Sequence, residues 1–271
     1  MAIDLKGSVA CVTGGGRGIG RATAEALAAR GARVVIGDLD VHHAEEVAHG
    51  IGAGAIALKL DVADPDSFTA FIAEAERLGP VELLVNNAGI MRTGVFAEQT
   101  LHTQHREIAI NLGGVVTGMR LVLPGMLARD RGHIVNVASM AGKMSVPGAA
   151  VYTATKFGVA SLSRAVRAEI VKSKVTITTI LPAAVRTELT SGLGITGLPT
   201  SAPEDVAREI VASCRHGRPE VTLPKGLGLV GALEQALPEG IGDFVKRVAG
   251  AQKRIAPENA QARAYQDRTS R

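Results

Sequence analysis

A short apolar run passes directly into a glycine cluster and then into an alanine-rich stretch, and this junction limits what the rest of the chain can build. Val9, Ala10, Cys11 and Val12 are continuously apolar, the pattern of a parallel strand buried on both faces. Thr13-Gly14-Gly15-Gly16-Arg17-Gly18-Ile19-Gly20 follows, and Arg21 to Ala29 has the composition of a helix. Glycine allows a tight turn and lets backbone approach a pyrophosphate closely. The helix start adds unpaired N–H groups and the positive end of a dipole. The spacing Gly14-x3-Gly18-x-Gly20 differs from the commonest dinucleotide fingerprint, Gly-x-Gly-x-x-Gly. Its place between a strand and a helix is what gives it weight. The fold expected is α/β, a single Rossmann-type doubly wound domain with about seven parallel strands and helices on both faces.

The 271 residues suffice for one large domain with a substantial core. The net charge of +4 crowds into the tail, at Arg247, Lys253, Arg254, Arg263, Arg268 and Arg271. It is a tail property rather than a nucleic-acid-binding face, so no nucleic-acid partner is expected. No apolar run reaches the roughly 18 to 20 residues of a membrane span. The first strand begins within about ten residues of Met1, so no signal peptide is expected. Cys11 and Cys214 are the two cysteines, and a reducing cytoplasm is the compartment they suit.

Further along, Arg33 to Asp38 is the second strand, and Asp38 lies at its C-terminal end about 20 residues past the glycines. A carboxylate there accepts hydrogen bonds from both adenosine ribose hydroxyls and repels a 2′-phosphate. Leu39, not a basic residue, comes next. Arg17 alone argues the other way, so the reading favours NAD and leaves NADP possible. His42, Glu45, Glu46 and His49 share a helix face, but nothing nearby completes a ligand set, and a solvated face is expected with no metal. Ala55 to Leu60 is the third strand, ending in Asp61-Val62; Ser67 to Leu78 is helix. Val81 to Val85, the fourth strand, runs into Asn86-Asn87-Ala88-Gly89. Asn side chains there can pin strand ends, and Ala88 and Gly89 leave room for a ribose. A long helix then covers Thr103 to Val116, breaks at Gly113-Gly114, and resumes from Thr117 to Ala128, with Asn111 inside it.

His133 to Ala138 is the fifth strand, with Ser139 at its end. Tyr152 and Lys156 open the next helix, four apart and therefore on one face. A phenol with a reference pKa near 10 is a poor base at neutral pH, and a neighbouring cation favours its phenolate. Lys156 supplies that cation and can hold the nicotinamide ribose, while Ser139 can donate a hydrogen bond to a substrate oxygen.

Over about residues 5 to 225 these motifs together resemble the short-chain dehydrogenase/reductase family. The resemblance implies that Asp61 and Val62 meet the adenine ring. It also implies that Asn111 completes a tetrad with Ser139, Tyr152 and Lys156 by supporting a water-linked proton path to the lysine. Two departures stand out: Thr155 where the family usually has Ser, and Ala183 where it usually has Gly. The second falls in Pro182-Ala183-Ala184-Val185-Arg186-Thr187, where the Val185 backbone should meet the nicotinamide carboxamide and Thr187 that group or the pyrophosphate. Homodimers or homotetramers through the Asn111 and Tyr152 helices are implied as well. The expected activity is reversible hydride transfer between a nicotinamide and a secondary alcohol or ketone, with Tyr152 as acid/base. An NADP-dependent carbonyl reductase and a non-catalytic nucleotide-sensing module are the alternatives.

Residues 1–225 are expected to form the catalytic domain. Within it, 188–202 is a lid whose Leu189, Leu193, Ile195 and Leu198 alternate with glycines. Met140, Met144, Val146 and Pro147 are expected to add apolar lining, which points to a lipophilic substrate. Residues 226–271 form an extension in which Ile241, Phe244, Val245 and Val248 recur at helical spacing. Packing on protein and weak membrane association are both open to it; from Pro257 onward disorder is expected.

Overall fold

In the computed structural model the described residues are 3–52, 54–190 and 200–228. The opening apolar run is β1 (Val9–Thr13), buried throughout, and the alanine-rich stretch is α1 (Gly18–Ala28). Alternation continues through β2 (Arg33–Asp38), α2 (Val41–Ile51), β3 (Ile56–Lys59), α3 (Pro65–Glu76) and β4 (Val81–Asn86). Then come α4 (Leu101–Ile108), α5 (Gly114–Ala128), β5 (His133–Val137), α6 (Ala150–Glu169) and β6 (Thr176–Pro182). A short parallel pair, β7 (Ala184–Val185) and β8 (Thr200–Ser201), precedes α7 (Pro203–His216) and β9 (Glu220–Leu223).

Seven strands form one parallel sheet in the order β3-β2-β1-β4-β5-β6-β9. The chain steps outward from β1 to β3, then crosses back to lay β4 on the free side of β1. Such a reversal opens a crevice at the carboxyl ends of the two central strands. Each sheet face has its own core. Ala24 and Leu27 of α1 meet Val47 of α2 and Ile210 of α7 on one face; Phe68 and Phe71 of α3 meet Met119 and Met126 of α5 and Val159 of α6 on the other. Phe68 is completely buried, which contributes about 2 to 3 kcal/mol by transfer alone.

The expected break at Gly113-Gly114 is not there. Instead α4 continues into α5 through one π-helical turn, Ala109–Gly113, with Asn111 buried inside it. Glycine weakens a helix but does not stop one that is packed along its length. The resulting helix, Leu101–Ala128, has 28 residues and is long and apolar enough to cross a membrane by length and composition only, although Arg106, Glu107 and Arg120 interrupt it and no unbroken apolar run spans it. Its inner face packs on the domain: a Cβ on Gly118 would stand 2.6 Å from Asn86 Oδ1 and 2.7 Å from Phe68 Cζ. Among the described residues no group of three or more His, Cys, Asp or Glu could hold a metal, and the His42 side chain is 86% exposed. Residues 191–199 of the expected lid, including Leu193, Ile195 and Leu198, lie outside the described residues, as does the extension from 229 onward.

Candidate active site

Two short-range demands shape the turn after β1. Gly14 has a φ of +63°, and a Cβ on it would lie 2.8 Å from Ala88 Cα. A Cβ on Gly20 would lie 2.0 Å from the Gly14 carbonyl oxygen, so only glycine lets α1 start this close under the loop. No side chain caps α1, and its first turn carries no acidic residue. Its free N–H groups and positive dipole end therefore remain available beside Gly18 and Ile19, which line the crevice.

The glycine loop is tied to the neighbouring strand. Thr13 Oγ1 accepts from the backbone N–H groups of Asn87 (3.0 Å) and Ala88 (3.1 Å). Asn87 Nδ2 returns bonds to the carbonyls of Thr13 (2.9 Å) and Gly14 (3.0 Å). One strand further, Asn86 Nδ2 donates to Asn136 Oδ1 at 2.8 Å. The pinning role expected of the asparagines is thus met by specific bonds. Thr13 itself is buried and acts as a strut behind the crevice.

Asp38 closes the far edge. Its Oδ2 accepts from Gly16 N at 2.9 Å and its Oδ1 from Asp40 N at 3.1 Å, which holds the carboxylate at the crevice beside Leu39. Arg17 is engaged across the mouth: it bonds Glu188 at 2.8 Å and lies 3.4 Å from Asp40, with the His43 ring alongside.

At the other end of the cleft stand Tyr152 and Lys156. Tyr152 and Lys156, 8% and 5% exposed, sit on the same face of α6. Lys156 Nζ donates to the Val137 carbonyl at 2.9 Å and lies 5.6 Å from the Tyr152 ring centroid. Burial disfavours its ammonium and pushes Lys156 down to about 8, against the pull of Glu107, which acts the other way. Ser139 accepts from Ala141 N at 3.1 Å and directs its hydroxyl toward the Pro182 carbonyl, 3.5 Å away. Asn111 Oδ1 accepts from Ile90 N at 2.8 Å, while its Nδ2 donates to the Ile90 carbonyl (2.8 Å) and to Thr155 Oγ1 (3.2 Å). Thr155 in turn donates to the Tyr152 carbonyl at 2.7 Å, so the threonine found where the family usually has serine joins two members of the set. Ala183 is accommodated too: Asp130 is the one non-glycine with positive φ among the described residues, and the Ala183 N–H is bonded to Leu223 O at 2.8 Å.

These elements meet around one cleft of about 810 Å³. Gly14, Arg17, Gly18, Ile19, Asp38, Leu39, Asp61, Val62, Asn87, Ala88, Gly89, Ser139, Tyr152, Lys156, Pro182, Val185 and Thr187 all stand on its wall. Thr13, Gly16, Gly20 and Asn111 stand just behind it, supporting residues that do. Glycines that a side chain would block, an open helix start and a carboxylate fixed close beside it by the Gly16 N–H fit a dinucleotide.

A model of the family described as short chain dehydrogenase matches residues 8–195. The chain belongs to this family. It is an NAD(P)-dependent oxidoreductase acting on hydroxyl groups. The 2,5-dichloro-2,5-cyclohexadiene-1,4-diol dehydrogenase of Sphingobium indicum is 36% identical over 226 residues, covering 80% of this chain and 85% of that one. A sorbitol dehydrogenase from Cereibacter sphaeroides is 38% identical over 191 residues, covering 70% and 75%. A short-chain dehydrogenase/reductase of Burkholderia phymatum, crystallised in complex with NAD, superposes with a TM-score of 0.79 at 25% identity, covering 95% of this chain and 99% of that one.

Within this short-chain dehydrogenase the apolar wall differs from expectation. Met140, Met144, Val146 and Pro147 do not line the cleft. Met140 and Met144 pack into the core under β5, and Val146 packs beside Met91 and Tyr152. Ile90, Ile110 and Leu189 line it instead. Arg92 and Glu107, 4% and 0% exposed, carry no sequence motif and meet behind the Lys156 end of the cleft. The Arg92 N–H donates to Glu107 Oε1 at 2.9 Å, and burial pushes the Glu107 carboxyl up to about 7. Local spacing in the sequence carries no signal that separates these two from exposed charged residues.

Proposed function

We propose that the enzyme oxidises a secondary alcohol, or reduces the corresponding ketone, with Tyr152 passing the proton. One observation carries this reading: the Lys156 ammonium is buried beside the Tyr152 ring, on the same cleft wall as Ser139. The cation favours the phenolate, which can take the hydroxyl proton of an alcohol bound against Ser139. In the reverse direction the phenol returns the proton, and the Ser139 hydroxyl stabilises charge on the substrate oxygen. A nicotinamide dinucleotide bound along the glycine loop supplies or accepts the hydride. Asp38 would hold its adenosine ribose, the start of α1 its pyrophosphate, and Asp61 with Val62 its adenine. Val185, Thr187 and Pro182 would frame the nicotinamide end. Asn111, through Ile90 and Thr155, keeps the wall beside Lys156 in place.

NAD is the favoured cofactor. Asp38 presents charge where a 2′-phosphate would sit, and Arg17, a residue suited to that phosphate, is already paired with Glu188 and Asp40. The substrate is proposed to be lipophilic, supported by Ile90, Ile110 and Leu189 on the wall. Homo-oligomers are proposed through the α4–α5 helix, where Leu101 is 71%, Ile108 43% and Val116 46% exposed. A cytoplasmic location is supported by two free, buried cysteines, Cys11 and Cys214.

The test follows reduced nicotinamide by absorbance, comparing NAD with NADP at matched concentrations and cyclic alcohols with sorbitol. Tyr152→Phe is expected to abolish turnover while cofactor binding persists. Substantial residual activity in that variant overturns the acid/base assignment, and preference for sorbitol over lipophilic alcohols overturns the substrate class.

A further inference from the structure

The loop leaving β4 runs alongside α4, and the two are joined at two levels. Ile90 meets Asn111 through both its backbone N–H and its carbonyl. Two residues on in the loop, and one helical turn back along α4, the Arg92 N–H meets Glu107 Oε1 at 2.9 Å. Asn111, in the π-helical turn that follows α4, reaches Ile90 and Thr155 of α6, and Glu107 and Asn111 thus bond the same stretch of loop, two residues apart. Gly89 marks how close this layer lies to the lysine: a Cβ there would be 3.2 Å from Asn111 Oδ1 and 3.6 Å from Lys156 Nζ. Glu107 is completely buried, and its Oε2 has no hydrogen-bond partner among the described residues. A carboxylate sealed from water without full hydrogen bonding is costly unless charge nearby compensates. The charged groups that act on it are Arg92, from the loop, and Lys156, from α6; Glu107 is in turn the charged group that acts on Lys156.

We propose that Glu107 is a positioning residue for the Lys156–Tyr152 pair, a buried countercharge, itself supported by Arg92, that keeps the lysine ammonium charged. The four groups form a string of alternating sign: Arg92 guanidinium, Glu107 carboxylate, Lys156 ammonium, Tyr152 phenolate. Each member favours the charged form of the next. Burial works against the ammonium, so a lysine this enclosed needs a countercharge behind it to stay protonated while the phenol in front ionises. Glu107 touches neither substrate nor cofactor in this scheme and acts only through Lys156. The inference rests on the proposed role of Tyr152.

The test is the pH profile of kcat/KM for alcohol oxidation in wild type, Glu107→Gln, Arg92→Gln and Tyr152→Phe, with cofactor binding and thermal unfolding measured on each. In Glu107→Gln the rising limb, which reports the phenol, is expected to move up by about half a unit or more, and the falling limb, which reports the lysine, to move down. The bell narrows from both sides. Arg92→Gln keeps the backbone N–H bond but leaves Glu107 protonated to higher pH, and should shift the rising limb in the same direction. It carries the test if Glu107→Gln does not fold. Glu107→Asp should restore part of the wild-type profile. A folded Glu107→Gln or Arg92→Gln variant that loses rate with unmoved limbs overturns the inference, because a merely structural residue changes rate or stability and not the profile. Residual turnover in Tyr152→Phe overturns the underlying acid/base reading instead, so the two failures are distinguishable.

Discussion

His133 offers a direct measure of what a buried neutral histidine does to this fold. It begins β5, is completely buried, and is bonded at both nitrogens, Nδ1 to Thr176 Oγ1 at 2.7 Å and Nε2 to Ser213 Oγ at 2.9 Å. Burial disfavours the imidazolium and pushes His133 down to about 4 from an ordinary 6.5. A group whose folded-state pKa is depressed contributes stability that is complete above its unfolded pKa and disappears as pH falls through the folded value. The window is therefore pH 6.5 down to about 4, and at about 1.36 kcal/mol per pH unit the full loss is about 3 kcal/mol. Glu107 acts oppositely. Its carboxyl is raised to about 7 from an ordinary 4.5, so its contribution is complete below 4.5 and disappears as pH rises through about 7. The two slopes overlap and offset each other in the wild type, so only a variant exposes either one. His133→Gln keeps polar atoms near Thr176 and Ser213 but cannot titrate. Urea unfolding by far-ultraviolet circular dichroism, at pH 7.5 and pH 4.5, gives the stability difference between wild type and variant at each pH. That difference should shrink by about 2 to 3 kcal/mol on acidification. A difference that stays constant between the two pH values refutes the reasoning.

Gly20→Ala should leave the fold standing but weaken cofactor binding by about tenfold or more, because the new methyl displaces the Gly14 carbonyl and the Asn87 amide that hold the loop; titration with NADH followed by fluorescence measures it. Thr13→Val preserves shape but leaves the Asn87 and Ala88 N–H groups without their acceptor, costing about 1 to 3 kcal/mol in urea unfolding. A loss well under 1 kcal/mol would mean that the strut between β1 and β4 is dispensable.

Residues near one another in the chain were legible. The strand, glycines and helix from Val9 to Ala28, the Asn86 to Gly89 turn, and Tyr152 with Lys156 are each coded by local spacing, and apolar runs placed the first five strands to within a residue or two, while the short pair β7 and β8 left no such mark. The sheet then brings those local motifs to one crevice by its parallel order alone, with β1 and β4 as neighbours. Other features depend on which distant segments face each other. Met140 and Met144 turn into the core, although their composition suited a substrate wall just as well. Arg17 reaches Glu188, a residue far along the chain whose approach depends on how the segment after β6 folds back over the mouth. The turn at Asn111 widens rather than breaks because tertiary bonds to Ile90 and Thr155 hold it, and local helix propensity carries no record of them. Glu107 and Arg92 look like ordinary charged residues in the sequence. Only depth in the folded chain makes them a buried pair, since the cost of removing a charge from water is a property of its surroundings and not of its residue type.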